Sequence, residues 1–414
     1  MKPLRYCFLA FLLSVCALAL AQNVPQGLPV VYISTADGSP VTGRDWRQGT
    51  RVRICRADGT TDYESANAAV KAHGNSSFQK PKKPLTMKFG SPVSVLGMTA
   101  NAKWFFVSNF MDHSLLRNSL ALTAAKLTSM AWTSDWRLVN VVENGKYIGC
   151  YLIGEEIHVG KHWVDADPAT GFLVELDAYP GDEYRFATTH RQLPVNVRFP
   201  KEPTPERMDS IKKVLDDIEA VLYKGSTEGF ATLYDRHLNL DSFADYLIIY
   251  ELCQNAEPNG PRSCYMYLGR DGKLCAGPVW DFDLAFEDMG LDGGGDIRPS
   301  RFGSEGVRRL TVDSLYDSHA LWYGQLLKDP VFRSRLAERW TALRPRFASL
   351  ADSLDLWRKT IAPSATADQQ LWGRLDPAKF DNTGSFEASV ANLRATFLRR
   401  IEALDRLFAY GGRH

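Results

Sequence analysis

Two spacings of apolar residues divide the chain. Before about residue 200 they mostly alternate with polar ones, and after it they recur at three and four. In the first part residues 28–35, 51–56, 85–89, 104–107, 172–177 and 195–199 read as strands. Residues 138–143 and 146–153 flank Asn144-Gly145, the preferred pair of a type I′ turn, so they read as a hairpin. One helix interrupts this pattern at 114–130, with Leu115, Leu116, Leu120, Leu122 and Leu127 on its apolar side. The proline-rich stretch from Pro200 to Pro205 marks the change of period. Beyond it Met208, Ile211, Leu215, Ile218 and Leu222 line one helix, and Phe243, Leu247, Ile248 and Leu252 line a second that starts near Asp241. From about Asp317 the chain reads as mostly helical. It ends in a helix marked by Phe386, Val390, Leu393, Phe397, Ile401, Leu404 and Phe408. The expectation is an α+β protein with a β-rich N-terminal part (22–200) and a mostly helical C-terminal part (201–414).

The first 21 residues stand outside this scheme. Lys2 and Arg5 precede an apolar run over 6–20, and Ala19-Leu20-Ala21 is a small-x-small cleavage site, so 1–21 read as a signal peptide with Gln22 as the mature start. Val15 before Cys16 makes a poor lipoprotein signal, which favours soluble export over a lipid anchor. The expected location is periplasmic, cell-envelope or secreted, with no transmembrane span in the mature chain. A net charge of +1 gives no argument for nucleic acid as a partner. Five cysteines follow the leader: Cys55, Cys150, Cys253, Cys264 and Cys275. The favoured reading is five small buried hydrophobes, with a Cys264–Cys275 disulfide as the alternative. No Cys-x-x-Cys pair points to structural zinc.

The stretch from Glu251 to Phe286 carries the candidate chemistry. A helix end and a loop rich in Pro, Asn and Gly lead to two apolar runs around Gly269-Arg270-Asp271-Gly272, which read as a hairpin. The second run leads into Trp280-Asp281-Phe282-Asp283, where strand alternation sets Asp281 and Asp283 on one face. Neighbouring carboxylates repel unless something positive lies between them, and a divalent cation is the usual solution. A solvated strand end is the plainer alternative. Upstream, His73-Gly74-Asn75-Ser76-Ser77 is a small-residue loop suited to presenting N–H groups to an anion, and Lys80, Lys82 and Lys83 follow it. Arg117 sits in the first turn of its helix, where the dipole disfavours a cation, so it calls for a specific partner. Glu155 ends the second strand of the Asn144-Gly145 hairpin. Residues 290–306, rich in Gly and Asp, read as a lid. No Gly-x-Ser-x-Gly elbow, His-Glu-x-x-His pair or dinucleotide fingerprint is present. What remains is a parts list for phosphoryl transfer, in which positioning and charge neutralisation do most of the catalysis.

These residues also carry a resemblance. His73 to Ser77, Lys82-Lys83-Pro84 with Lys88-Phe89, Leu96-Gly97-Met98, Asn109 through Arg117-Asn118, Gly149 through Glu155, and Gly277 through Phe286 occur in the order seen in the CotH family. These are spore-coat-protein-H-like proteins related to atypical protein kinases. The resemblance implies an atypical protein-kinase-like two-lobed fold with ATP bound between the lobes and Mg²⁺, or Mn²⁺, as the metal. It implies Asp281 and Asp283 as metal residues, and Lys83 or Lys88 on the phosphates, with the strand position favouring Lys88. It further implies Glu155 as the lysine's partner, Asn75 and Ser76 in a loop closing over the phosphates, and Arg117 among the nucleotide contacts. The family pattern has an aspartate as catalytic carboxylate two residues after the Asn255 position, and here Glu257 stands there. The expected activity is transfer to Ser/Thr hydroxyls of an exported protein substrate. The alternatives are an inactive relative used for envelope assembly or adhesion, and a carbohydrate-active protein, which needs two carboxylates at glycosidase separation.

Overall fold

A computed structural model describes residues 24–179, 183–224, 227–286, 296–297, 308–311, 313–373 and 383–409. The expected signal peptide therefore lies outside the described residues, as does nearly all of the expected lid at 290–306. Strands and helices are both present, so the α+β class is observed. The chain divides into two compact units, one formed by 1–115, 135–156 and 357–377, the other by 116–134, 157–356 and 378–414.

The first unit is a closed barrel, in the order β1-β2-β3-β4-β5-β7-β6. The strands are β1 (Val30–Ser34), β2 (Arg47–Cys55), β3 (Thr61–Ala72), β4 (Leu85–Val93), β5 (Asn101–Val107), β6 (Trp136–Glu143) and β7 (Lys146–Glu155). Alternation explains it: Val52 and Ile54 point inward while Arg51 and Arg53 are exposed, and the register sets Val31 against Ile54 and Ile33 against Val52. The parallel pairing of β1 with β6 closes the ring, which leaves no open edge. Met87, Phe89, Trp104, Phe106, Tyr151 and Ile153 fill the interior. The resemblance implied a kinase-like two-lobed arrangement; the strand order of this unit is that of a seven-stranded closed barrel.

The second unit holds an antiparallel sheet in the order β12-β11-β8-β10-β9. It is formed by β8 (Leu173–Leu176), β9 (Arg185–Ala187), β10 (Pro194–Phe199), β11 (Cys264–Leu268) and β12 (Leu274–Ala276). Strands from both sides of residue 200 thus share one sheet. The short β13 (Asp296–Ile297) pairs with β14 (Arg308–Arg309). The helices are α1 (Arg117–Ala125), α2 (Pro205–Lys224), α3 (Thr227–Arg236), α4 (Leu240–Leu252), α5 (Tyr323–Leu326), α6 (Pro330–Trp372) and α7 (Phe386–Ala409). α6 gives its residues up to 356 to this unit and the rest to the first. Asn239 caps α4 by accepting from the Ser242 N–H, and the helix is buried from Ser242 to Leu252, so it runs through the core.

Two sequence expectations change, and the less favoured reading of the cysteines is excluded. The helix expected at 114–130 begins at Arg117, because Leu115 takes a left-handed φ of 57° while the Asp112 carboxylate accepts from the Ser114 N–H and holds a turn. Asp281 and Asp283 do not lie on a strand: the chain leaves β12 at Ala276, and Asp281 has a φ of 62°. A Cys264–Cys275 disulfide does not form. The register pairs Cys275 with Tyr267, three positions from Cys264 and on the opposite face, and all five described cysteines are buried thiols. Among the described residues no helix is long and apolar enough to cross a membrane.

Candidate functional site

Two asparagines build the acidic loop of the second unit. α4 ends at Leu252, Gln254 turns the chain with a φ of 51°, and the returning segment is tied beside it by the Phe286 N–H donating to the Cys253 carbonyl at 2.6 Å. Asn255 accepts from the Glu257 N–H at 3.1 Å and donates to the Asp281 carbonyl at 2.9 Å. Asn118 of α1 accepts from the Phe282 N–H at 3.0 Å and donates to Asp283 Oδ1 at 2.6 Å. Arg117 Nη1 donates to the Asp283 carbonyl at 3.4 Å. The Phe282 side chain between the two acids is fully buried against Tyr250, ring centres 5.4 Å apart, which anchors the loop. Asp281 itself is exposed. Its left-handed backbone is one that Asp tolerates better than most residues.

Charge is poorly balanced here. Burial holds Glu257 well above the usual glutamate range, the Asp281 charge adds to this, Arg262 opposes it, and Asp283 and Asp177 raise it further. Its Oε2 atom is sealed from solvent and has no hydrogen-bond partner among the described residues. Crowding by surrounding protein also raises Asp281, although its residue surface is exposed; the Asp283 backbone N–H offsets this, Asp177 raises it, and Arg262 lowers it. Arg262 lies over the Tyr179 ring at 5.1 Å, and the Ala178 N–H donates to the Pro261 carbonyl at 2.7 Å, which brings Asp177 to the same rim.

Such a set suits a hard cation. Among the described residues no three His, Cys, Asp or Glu side chains are placed to hold a metal alone. Mg²⁺ does not require that, because it commonly takes one or two carboxylates together with substrate phosphates. The exposed Asp281 carboxylate fits this role, with Asp283 two residues on and the buried Glu257 adding negative charge beside it.

The remaining expected residues lie on the first unit. Asn75 and Ser76 are exposed in a loop that starts at Gly74, whose φ is 96°. Arg44 Nη2 donates to the Gly74 carbonyl at 2.7 Å. Lys83 is committed to the same loop: it donates to the Phe78 carbonyl at 2.7 Å, and Phe78 carries Arg44 at 4.2 Å and Lys83 at 5.0 Å from its ring centre. Lys88 is exposed on β4, opposite Ala69 and Lys103 in register, and no described residue forms an ion pair with it. Glu155 is buried at the end of β7 and accepts from the Asp135 N–H at 3.0 Å. Lys82 pairs with Asp368 and Lys103 with Glu156. His73 is pushed down to about 4 by burial and by the charges of Lys103 and Lys71, so it is neutral at physiological pH.

Sequence reasoning reached Arg117, Glu257, Asp281 and Asp283, and the structure brings these four to the acidic loop. It gave no role to Asn118, although the family resemblance passed through it. Asp177 ends the strand expected at 172–177 but was given no role, and nothing marked Arg262 or Asp368. The CotH kinase protein family model matches residues 70–404. The chain belongs to the CotH kinase protein family. No curated protein matches it.

Proposed function

We propose that this chain is an exported, Mg²⁺-dependent phosphotransferase that moves the terminal phosphoryl group of ATP to Ser/Thr hydroxyls of a secreted or envelope protein. The observation that carries the reading is the gathering of four carboxylates, Glu257, Asp281, Asp283 and Asp177, in which burial and mutual repulsion raise Glu257 and Asp281, with the loop fixed by Asn118 and Asn255. Asp281 and Asp283 hold the metal, which when bound neutralises phosphate charge. Glu257 faces the acceptor hydroxyl. Its raised pKa makes it a better proton acceptor once ionised, and a positioned base is worth about 10²–10⁴ in rate. Lys88, exposed and ion-paired with no described residue, is the proposed phosphate cation in preference to Lys83, with Arg117, Asn75 and Ser76 as further nucleotide contacts. Export, through a signal peptide at 1–21, is part of the proposal.

The test is phosphate transfer from labelled ATP by the chain from Gln22 onward, with Mg²⁺ or Mn²⁺, beside Asp281→Asn. Transfer that falls at least about a hundredfold in the variant, with unchanged melting, supports the reading. Equal labelling by both proteins overturns the role of Asp281. The substitution of Glu257 for the family's aspartate favours a second reading, a nucleotide-binding relative without turnover. That reading predicts metal-dependent stabilisation by ATP and no transfer.

A further inference from the structure

The first unit contains a buried ion pair that the reaction does not use directly. Lys82 is fully buried, and its ammonium pairs with Asp368 near the end of α6, donates to the Cys150 carbonyl at 2.6 Å, and lies 4.7 Å from the Tyr151 ring centre. Asp368 Oδ2 also accepts from the Cys150 N–H at 2.7 Å, so one carboxylate oxygen joins Lys82 to β7. The strand makes room for it: Gly149 has a φ of 122°, and a Cβ there would sit 2.5 Å from Asp368 Oδ2 and 2.9 Å from Lys82 Cε. Two residues on each side support the arrangement, with Trp372 Nε1 donating to the Ile148 carbonyl at 3.0 Å and Tyr147 Oη to the Ser364 carbonyl at 3.4 Å.

A buried ion pair gains little over an apolar pair of equal volume, because desolvation of two charges offsets their attraction; its best-attested use is to fix register. What this one fixes is the downstream end of the Asn75–Ser76 loop. Lys82 stands between Pro81 and Lys83-Pro84, and β4 begins at Leu85. The upstream end is held by Arg44 on Gly74, and the middle by Lys83 on Phe78. The loop ends are joined by the His73 N–H donating to the Pro84 carbonyl at 3.0 Å, and side chains hold the loop at three points, one within it, one from Arg44 and one on a helix 286 residues away in sequence.

We propose that Asp368 is a positioning residue for the phosphate loop: through Lys82 it sets the Gly74–Lys83 segment so that the exposed groups of Asn75 and Ser76 meet the phosphates of ATP. This rests on the phosphoryl-transfer reading. The role is binding rather than chemistry, so it acts on KM for ATP and leaves kcat nearly untouched.

The test compares three full-length proteins with ATP and Mg²⁺: wild type, Lys82→Met/Asp368→Asn, and Asp368→Glu. The double variant removes both charges, fills the space, and leaves an amide that matches the Cys150 N–H and carbonyl. It is expected to melt close to wild type, with KM for ATP raised about tenfold and kcat within about twofold. Asp368→Glu keeps both charges and the fold but displaces Lys82 by a methylene, and is expected to raise KM a few-fold. Wild-type KM in both variants overturns the inference and shows the pair to be scaffolding only. A wild-type chain that neither transfers phosphate nor is stabilised by ATP overturns the phosphotransferase reading and this inference with it.

Discussion

At Glu257 burial, a sealed oxygen without a partner among the described residues and three neighbouring carboxylates all oppose ionisation, and Arg262 alone among the named groups favours it. The consequence for stability has a definite sign. The folded pKa lies above the ordinary 4.5, so the folded chain holds that proton after the unfolded chain has released it. Stability therefore falls as pH rises from about 4.5 through the folded value, and stays lower above it. Glu257→Gln removes the ionisation. Its melting temperature is expected to match wild type near pH 4.5 and to exceed it by about 2–4 °C at pH 8. Added Mg²⁺, held by Asp281 and Asp283, should raise both proteins and narrow that gap, because a ligand that binds the folded state alone stabilises it and the cation's charge eases the ionisation of Glu257 in wild type. Melting curves at four or five pH values check this. A gap that widens toward acid would mean that Glu257 is stabilised as the anion, contrary to the site described.

α1 disciplines the acidic loop through Asn118 above all, with Arg117 adding a bond to the Asp283 carbonyl. Asn118 uses both ends of its amide, one on the Phe282 N–H and one on Asp283 Oδ1, and it is buried. Asn118→Ala leaves a backbone donor unmet and removes one hydrogen bond from the Asp283 carboxylate, at about 1–3 kcal/mol. Urea unfolding should register that loss, and transfer should fall about ten- to a hundredfold, since a 1 Å displacement near the chemistry can cost the latter. In β7, Gly149→Ala combines a left-handed φ with a contact of 2.5 Å to a buried carboxylate, and is expected to cost about 2–4 kcal/mol in the same measurement. Elements of this kind differ in how readily they are read from sequence. β1, β2 and the Asn144-Gly145 hairpin were legible because Val and Ile alternate with charge around strong turn residues. β3 was not: its twelve residues, from Thr61 to Ala72, hold one aromatic and one β-branched apolar side chain, Tyr63 and Val70, and its pairing with β2 and β4 decides its state. Asp281-Phe282-Asp283 was legible as a site but not in its backbone. Tertiary bonds from Asn118 and Asn255 hold it out of a strand, and no local pattern records them.

At the scale of the whole molecule the compact units ignore chain order, and long-range charge pairs show why a linear reading could not find them. Most helices follow the change of period at residue 200, yet β8 and β10 join β11 and β12 in one sheet because β8 finds its partner β11 about 90 residues later in the chain. Helix α7 was predicted on its apolar stripe, and Phe386, Val390, Leu393, Phe397, Ile401, Leu404 and Phe408 are all buried. Its most consequential residue lies off that stripe. Arg400 is fully buried; it donates to Glu251 Oε2 at 2.8 Å, to the Glu251 carbonyl at 2.7 Å and to the Ser314 carbonyl at 2.7 Å. Glu251 in turn accepts from the Tyr316 and Asp317 N–H groups at 2.7 and 2.8 Å, four residues before the Asn255 turn. Arg400→Met therefore strands a buried carboxylate at the base of the acidic loop, and should cost about 3–5 kcal/mol. Adding Glu251→Gln removes the charge but keeps only one acceptor for two N–H donors, so the double variant should recover part of that loss and no more. Recovery in full would mean that the pair contributes only its charge balance. No loss in the single variant would mean that water reaches Glu251, and that α7 does not seal the second unit as its burial pattern indicates.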